Sequence, residues 1–117
     1  KKSPHFYITI YIKHNKILVF LNSSGKPLFM RGYRTKIHKA AINESLASGI
    51  LKSTNWLKEK ILYDPMCGSG TFVIEAAMLA FNIPPRILRT HYGFKQWKNF
   101  DSSLWDSVVK EENELTI

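Results

Sequence analysis

Between residues 61 and 80 the chain passes from a short apolar run, Ile61-Leu62-Tyr63, through an acidic residue to two glycines spaced two apart, then into a long apolar stretch. The run reads as a strand ending at Asp64-Pro65. The loop is Pro65-Met66-Cys67-Gly68-Ser69-Gly70. A helix opens at Thr71 and continues through Phe72, Val73, Ile74, Ala76, Ala77, Met78 and Leu79, until Asn82 and Pro84-Pro85 end it. Being apolar nearly all round, it is expected to be buried on most sides. Strand, acid, glycine loop and helix in this order form the first βα turn of an α/β sheet.

A helix N-terminus offers unpaired N–H groups and a partial positive charge, and glycines let a ligand approach the backbone. Spacing separates the ligand classes. A P-loop needs a lysine after its last glycine, and here Thr71 follows Gly70. The dinucleotide fingerprint needs a third small residue, but position 73 is valine, and no acidic residue stands about 20 residues on. S-adenosylmethionine needs no phosphate cradle. Its sulfonium and ammonium favour an acid at the end of the first strand, and Asp64 stands there.

The rest of the chain supplies the surroundings. Phe6, Ile8, Ile10 and Ile12 alternate with Tyr7, Thr9 and Tyr11, as in a strand with one buried face. Ile17-Leu18-Val19-Phe20-Leu21 reads as a second, well-buried strand, joined through Lys13-His14-Asn15-Lys16 into a hairpin. Ser23-Ser24-Gly25-Lys26-Pro27 marks a boundary. Leu28 to Arg34 reads as extended. From about Lys39, Ile42, Leu46 and Ile50 fall four apart, with Ala47 and Leu51 beside them, which predicts one face of an amphipathic helix running to about Lys52. Residues 83–100 form a long connection anchored by Tyr92, Phe94 and Trp97. Asp101 or Ser102 caps a last helix with Leu104, Trp105, Val108 and Val109 inward, and its tail, Glu111 to Glu114, is expected to fray. Trp56, Trp97 and Trp105 read as core or interface residues.

At this point the sequence resembles a known family. Asp64-Pro65-Met66-Cys67-Gly68-Ser69-Gly70-Thr71 is similar to the first cofactor motif of class I methyltransferases acting on RNA. It resembles the subgroup that carries a THUMP domain, including the 23S rRNA guanine-N2 methyltransferases. The match takes in Ser24 to Leu28, Arg31-Gly32-Tyr33-Arg34 and Ala40 to Ala47, then Ile83-Pro84-Pro85, Gly93-Phe94 and Trp97. The resemblance implies a partial Rossmann-like methyltransferase domain over residues 31–117. Residues 1–30 would be a β-hairpin linking it to a THUMP-type RNA-binding domain outside the chain. It implies S-adenosylmethionine as cofactor, ribosomal RNA as partner and a cytoplasmic setting. The family's catalytic Asn/Asp-Pro-Pro-Tyr/Phe loop follows the fourth strand, so no catalytic residue is expected here, and this piece alone should have little activity. Asn82-Ile83-Pro84-Pro85 is a decoy with an inserted residue and no aromatic.

The cofactor candidates are Asp64, Pro65, Met66, Cys67, Gly68, Ser69, Gly70 and Thr71, with Asn43 and Glu44 on the helix that the resemblance places beside the pocket. Each has a plainer reading. Asp64 can cap nearby N–H groups, the glycines can be turn formers, Thr71 is first a helix-start residue, and Glu44 can sit on a solvated face. Cys67, with no histidine beside it in sequence, reads as a small packed residue rather than a nucleophile. As the only cysteine it excludes an internal disulfide, and no metal-ligand spacing involves His38 or His91.

Charge adds the partner. Residues 1–60 hold twelve Lys/Arg against two acids, +10, whereas residues 61–117 hold five against seven, −2. Such asymmetry suits a polyanion. Arg31, Arg34, Lys36 and Lys39, with Tyr33 among them, are candidate RNA contacts, or else a charged strap between domains. Two other functions remain open on the residues: a non-catalytic RNA-binding segment and a dinucleotide-binding oxidoreductase piece.

Overall fold

The computed structural model describes residues 6–34 and 41–117; Lys36, His38 and Lys39 lie outside the described residues. Strands β1 (Tyr7–Lys13) and β2 (Lys16–Asn22) pair antiparallel from Tyr7↔Asn22 to Lys13↔Lys16. The two-residue turn puts His14 and Asn15 at φ of 46° and 57°. Left-handed backbone at both positions matches the twist of a tight hairpin, and asparagine tolerates it well.

The register sets Ile8, Ile10 and Ile12 against Leu21, Val19 and Ile17 on one face. Neither that face nor the other is covered: Ile10 is 60% and Val19 65% exposed. The expected buried face of β1 and the well-buried β2 are therefore not observed. A two-stranded sheet hides a face only under another layer, and none of the described residues provides one.

The hairpin is held at its base. The Phe94 N–H donates to Ser23 O at 2.8 Å, and the Phe6 and Trp97 rings stack with centroids 6.2 Å apart. Arg89 gathers the carbonyls of Ser24, Lys26 and Pro27 at 2.8, 2.6 and 3.0 Å. A Cβ on Gly93 would stand 3.1 Å from Ser23 O, a tight contact that glycine avoids where these two segments meet. The radius of gyration is 17.6 Å, against about 13 Å for a compact domain of 100 residues.

Helix α1 (Glu44–Ser53) packs on α2 (Thr71–Ala80). It begins later than its apolar spacing predicts, because Asn43 accepts the Leu46 N–H on its side chain and caps it there. Its buried residues are Glu44, Ala47 and Leu51, while Leu46 and Ile50 are exposed. Of the expected face, Ala47 and Leu51 are buried and Leu46 and Ile50 are not, so the inner stripe runs along one flank of that face. Ala47 of α1 and Ala76 of α2 are both buried, and small residues at a helix–helix contact allow a close approach. Helix α2 is not buried on most sides. Thr71, Glu75 and Ala76 are its buried residues, and Val73 is 47% exposed.

Helix α3 (Ser102–Glu114) starts where expected. Asp101 Oδ1 accepts the Ser103 and Leu104 N–H groups at 2.9 and 3.1 Å. The expected inner face is only partly covered: Trp105 meets Tyr92 and Phe94 at ring-centroid distances of 5.2 and 5.5 Å, but Leu104 and Val108 are exposed. The tail does not fray. Arg86 pairs with Glu112 and donates to Val109 O and Asn113 Oδ1, fastening the last turns.

The Ser103 hydroxyl, ahead of the Leu104 N–H, holds the Asp101 carboxyl below the usual carboxylate range. Its capping contribution is present above the ordinary aspartate pKa and is lost as pH falls through the depressed value. Asp101→Ala should lower the melting temperature of the protein, and Asp101→Asn, which keeps an acceptor, should lower it less, as read by thermal circular dichroism.

Candidate functional site

Residues 61–63 do not form a strand, because a strand needs a neighbour to bond and none of the described residues pairs with them. Ile61 is 96% and Tyr63 83% exposed. The loop that follows is built as its residue types dictate. Asp64 Oδ1 accepts the Met66 N–H at 3.1 Å, so the aspartate does act as a local cap. The Gly70 N–H donates to Cys67 O at 2.8 Å and closes the bend. Gly68 and Gly70 stand at φ of +54° and +74°, left-handed backbone that side chains resist.

Gly70 is the N-cap of α2. It brings no side chain to the helix, and the first turn of α2 holds no acid. The opening N–H groups of a ten-residue helix are thus left without a capping side chain. Met66, Cys67, Gly68 and Ser69 are all exposed, and a Cβ on Gly68 would meet nothing within 4 Å. The loop is open surface. Cys67 is exposed, not packed as expected, since none of the described elements covers it.

Behind the loop the charged residues turn inward. Arg34 Nη2 donates to Ile42 O at 2.6 Å and to Thr71 Oγ1 at 2.5 Å, while its Nε lies 3.5 Å from Glu44 Oε1. Glu44 is 4% exposed, so it does not sit on a solvated face, and its Oε2 has no hydrogen-bond partner among the described residues. Arg31 pairs with Glu75 at 3.4 Å, and the Tyr33 hydroxyl donates to Glu75 Oε1 at 3.0 Å. Burial first, and the Glu75 charge second, push the Tyr33 phenol far above its ordinary pKa, so it remains a donor. Arg31, Tyr33 and Arg34, the candidate RNA contacts that are described, therefore form a strap bound to α1 and α2 rather than an open basic face.

Asn43 caps α1, and Thr71 is the buried first residue of α2. Asn82 commits its amide to Leu115 O at 2.7 Å and fastens α2 to the end of the chain, as a structural residue would. Glu75 was not marked by its spacing, yet it is 2% exposed and anchors the strap. Its signal was present: a single carboxylate inside an apolar helix must find a buried cation or donor. A cavity of about 370 Å³ lies among Leu28, Arg31, Arg86, Tyr92, Trp105 and Glu112, and no residue of the 64–70 loop lines it.

A left-handed glycine bend enters an uncapped helix, with an aspartate at its start, in a chain whose fold is part of a Rossmann-like methyltransferase domain. Residues 31–116 match the RMKL-like, methyltransferase domain family (UPF0020), and the chain belongs to that family. It is 50% identical over 94 residues to "Ribosomal RNA large subunit methyltransferase K/L" of Psychromonas ingrahamii, covering 80% of this chain and 12% of that protein. It is 41% identical over 112 residues to the protein of the same name from Buchnera aphidicola, covering 95% of this chain and 16% of the relative. Among solved structures, SMU.472 complexed with SAH matches with TM-score 0.87 and 39% identity, over 95% of this chain and 28% of that one. A predicted N6-adenine-specific DNA methylase from Listeria monocytogenes matches with TM-score 0.85 and 31% identity, over 95% and 29%. The chain thus spans only a small part of the proteins it resembles.

Proposed function

We propose that residues 64–71 hold the amino-acid end of S-adenosylmethionine, in a protein that methylates ribosomal RNA at guanine N2 of the 23S molecule. The observation that carries the reading is the open bend itself: free helix N–H groups beside the Asp64 carboxylate. A zwitterionic amino-acid group has both complements there, because its carboxylate can take the N–H groups and its ammonium the acid. With no lysine in the loop, a nucleotide's terminal phosphates lack a counter-charge. A SAH-bound relative that superimposes over nearly the whole chain supports the same ligand.

The bound cofactor supplies an electrophilic methyl group. This chain's own residues bind and orient: Asp64 and the α2 N-terminus fix one end of the ligand, and Gly68 and Gly70 let the backbone lie against it. Glu44, buried at the start of α1 with one oxygen unpartnered among the described residues, is a second acceptor for the ammonium. Alignment of nucleophile and methyl carbon by parts of the domain beyond residues 1–117 completes the reaction. In this reading RNA contact falls to Lys36, Lys39 and the basic first half, since Arg31, Tyr33 and Arg34 are committed to carboxylates. The rRNA names of the relatives favour RNA over the DNA adenine named for the Listeria protein.

Calorimetry on the full-length protein tests this. SAH should bind and NAD should not. Asp64→Ala removes a charged contact worth about 1.5–3 kcal/mol, so SAH affinity should drop roughly 10- to 150-fold. Tritium from labelled cofactor should appear as N2-methylguanine in 23S rRNA from cells lacking the gene. Label in N6-methyladenine of DNA, or binding of NAD in place of SAH, refutes the assignment.

A further inference from the structure

The geometry points to Arg34 as a positioning residue for the cofactor loop: it clamps Thr71, and through it Ser69, to the start of α1. The inference rests on the reading that residues 64–71 hold S-adenosylmethionine. Arg34 lies thirty residues and more before the loop, yet its guanidinium joins three points. One is Ile42 O, just ahead of the α1 cap, at 2.6 Å. The second is Glu44 in the first turn of α1, at 3.5 Å. The third is Thr71 Oγ1, the first side chain of α2, at 2.5 Å. Because a guanidinium has donors only, Thr71 must accept from it. The same hydroxyl lies 3.3 Å from Ser69 Oγ, inside the loop.

The loop needs such a tether. Two left-handed glycines give it wide freedom, and its own restraints are the Met66 N–H to Asp64 and Gly70 N–H to Cys67 bonds. Neither fixes Ser69. Freezing the bend before the ligand arrives removes an ordering cost from binding. Stability is a poor explanation for this ion pair. Among the described residues, Arg34 Nε and Glu44 Oε2 are both buried without hydrogen bonds, and a buried pair so imperfectly satisfied gains little over apolar packing. What arginine does here that lysine cannot is hold Ile42 O and Thr71 Oγ1 from Nη2 while Nε, in the same rigid plane, stands beside Glu44.

The test uses the full-length protein, with SAH calorimetry and steady-state rRNA methylation. Arg34→Lys should raise Kd for SAH and KM for S-adenosylmethionine about 10-fold or more, with kcat at saturating cofactor within about twofold of the parent. Thr71→Val, which removes the accepting hydroxyl at nearly constant volume, should reproduce the defect, and Thr71→Ser should restore affinity. The double variant Arg34→Lys/Thr71→Val should be no worse than either single one, since both cut the same link. Should Arg34→Lys not fold, Arg34→Gln, which keeps a planar donor group but not the reach to Thr71, takes its place beside the Val and Ser variants at Thr71. Parental SAH affinity in Arg34→Lys and Thr71→Val, an effect on kcat alone, or additive losses in the double variant overturns the clamp and leaves the cofactor reading standing. Absence of SAH binding by the parent protein overturns both.

Discussion

Replacing Gly68 with valine is expected to abolish measurable SAH binding by the full-length protein, a loss of at least about 100-fold, or about 2.7 kcal/mol. Two causes combine. Gly68 stands at φ +54°, where a β-branched residue is strained by about 1–3 kcal/mol. The bend can relax only by flipping away from its present course, and the N–H groups ahead of α2 turn with it. The second cause lies in the open space beside Gly68. A Cβ there meets no protein atom within 4 Å, so packing does not oppose the side chain. It would instead occupy the volume through which a ligand approaches the backbone. Gly68→Asn separates the two, because asparagine tolerates left-handed backbone but still fills that volume. Equal losses in Val and Asn assign the effect to ligand approach, whereas near-parental affinity in Asn assigns it to the backbone. Circular dichroism should be unchanged in both, since Gly68 touches no packed element. Full SAH affinity in the valine variant would mean that the ligand does not approach the loop at this residue.

That loop was legible in the sequence because its constraints are local. Asp64 and the two glycines act on their own neighbours' backbone, and residue type with spacing encodes that. Helix starts at Asn43 and Asp101 were encoded in the same way, although the apolar stripe suggested an earlier start for α1. What the sequence did not show is where partners come from across the chain. Arg31 and Arg34 read equally as RNA contacts or as a charged strap, and nothing local showed that Glu75 and Glu44 stand against them, since Glu75 is 44 residues from Arg31. The exposed hairpin faces, the unpaired Ile61-Leu62-Tyr63 and the exposed Cys67 share one cause. Apolar pattern reports which side chains could be buried, while burial itself depends on what lies opposite. A doubly wound sheet sets neighbours beside its first strand. The solved relatives are more than three times the length that this chain matches, which leaves room for such neighbours.

Glu75→Ala is expected to destabilise the protein more than any other single truncation in the strap, by about 3–5 kcal/mol in denaturant unfolding. Glu75 is 2% exposed and accepts from three donors: Arg31 Nε at 3.4 Å, Arg31 Nη2 at 3.5 Å and the Tyr33 hydroxyl at 3.0 Å. Its removal leaves a guanidinium whose side chain is 11% exposed without its counter-charge, and a phenol without its acceptor. Most of the expected cost is that stranded charge, not the bond strength of the pair. The argument therefore requires that removing both charges costs less than removing one. Glu75→Leu combined with Arg31→Met should recover much of the loss, because apolar groups of similar volume replace a desolvated pair at little net cost. Tyr33→Phe alone should cost about 1 kcal/mol, the size of one hydrogen bond. If the double variant is instead as unstable as Glu75→Ala, the ion pair itself stabilises the strap. The strap would then be held to α2 by attraction between charges rather than by the need to avoid leaving one alone.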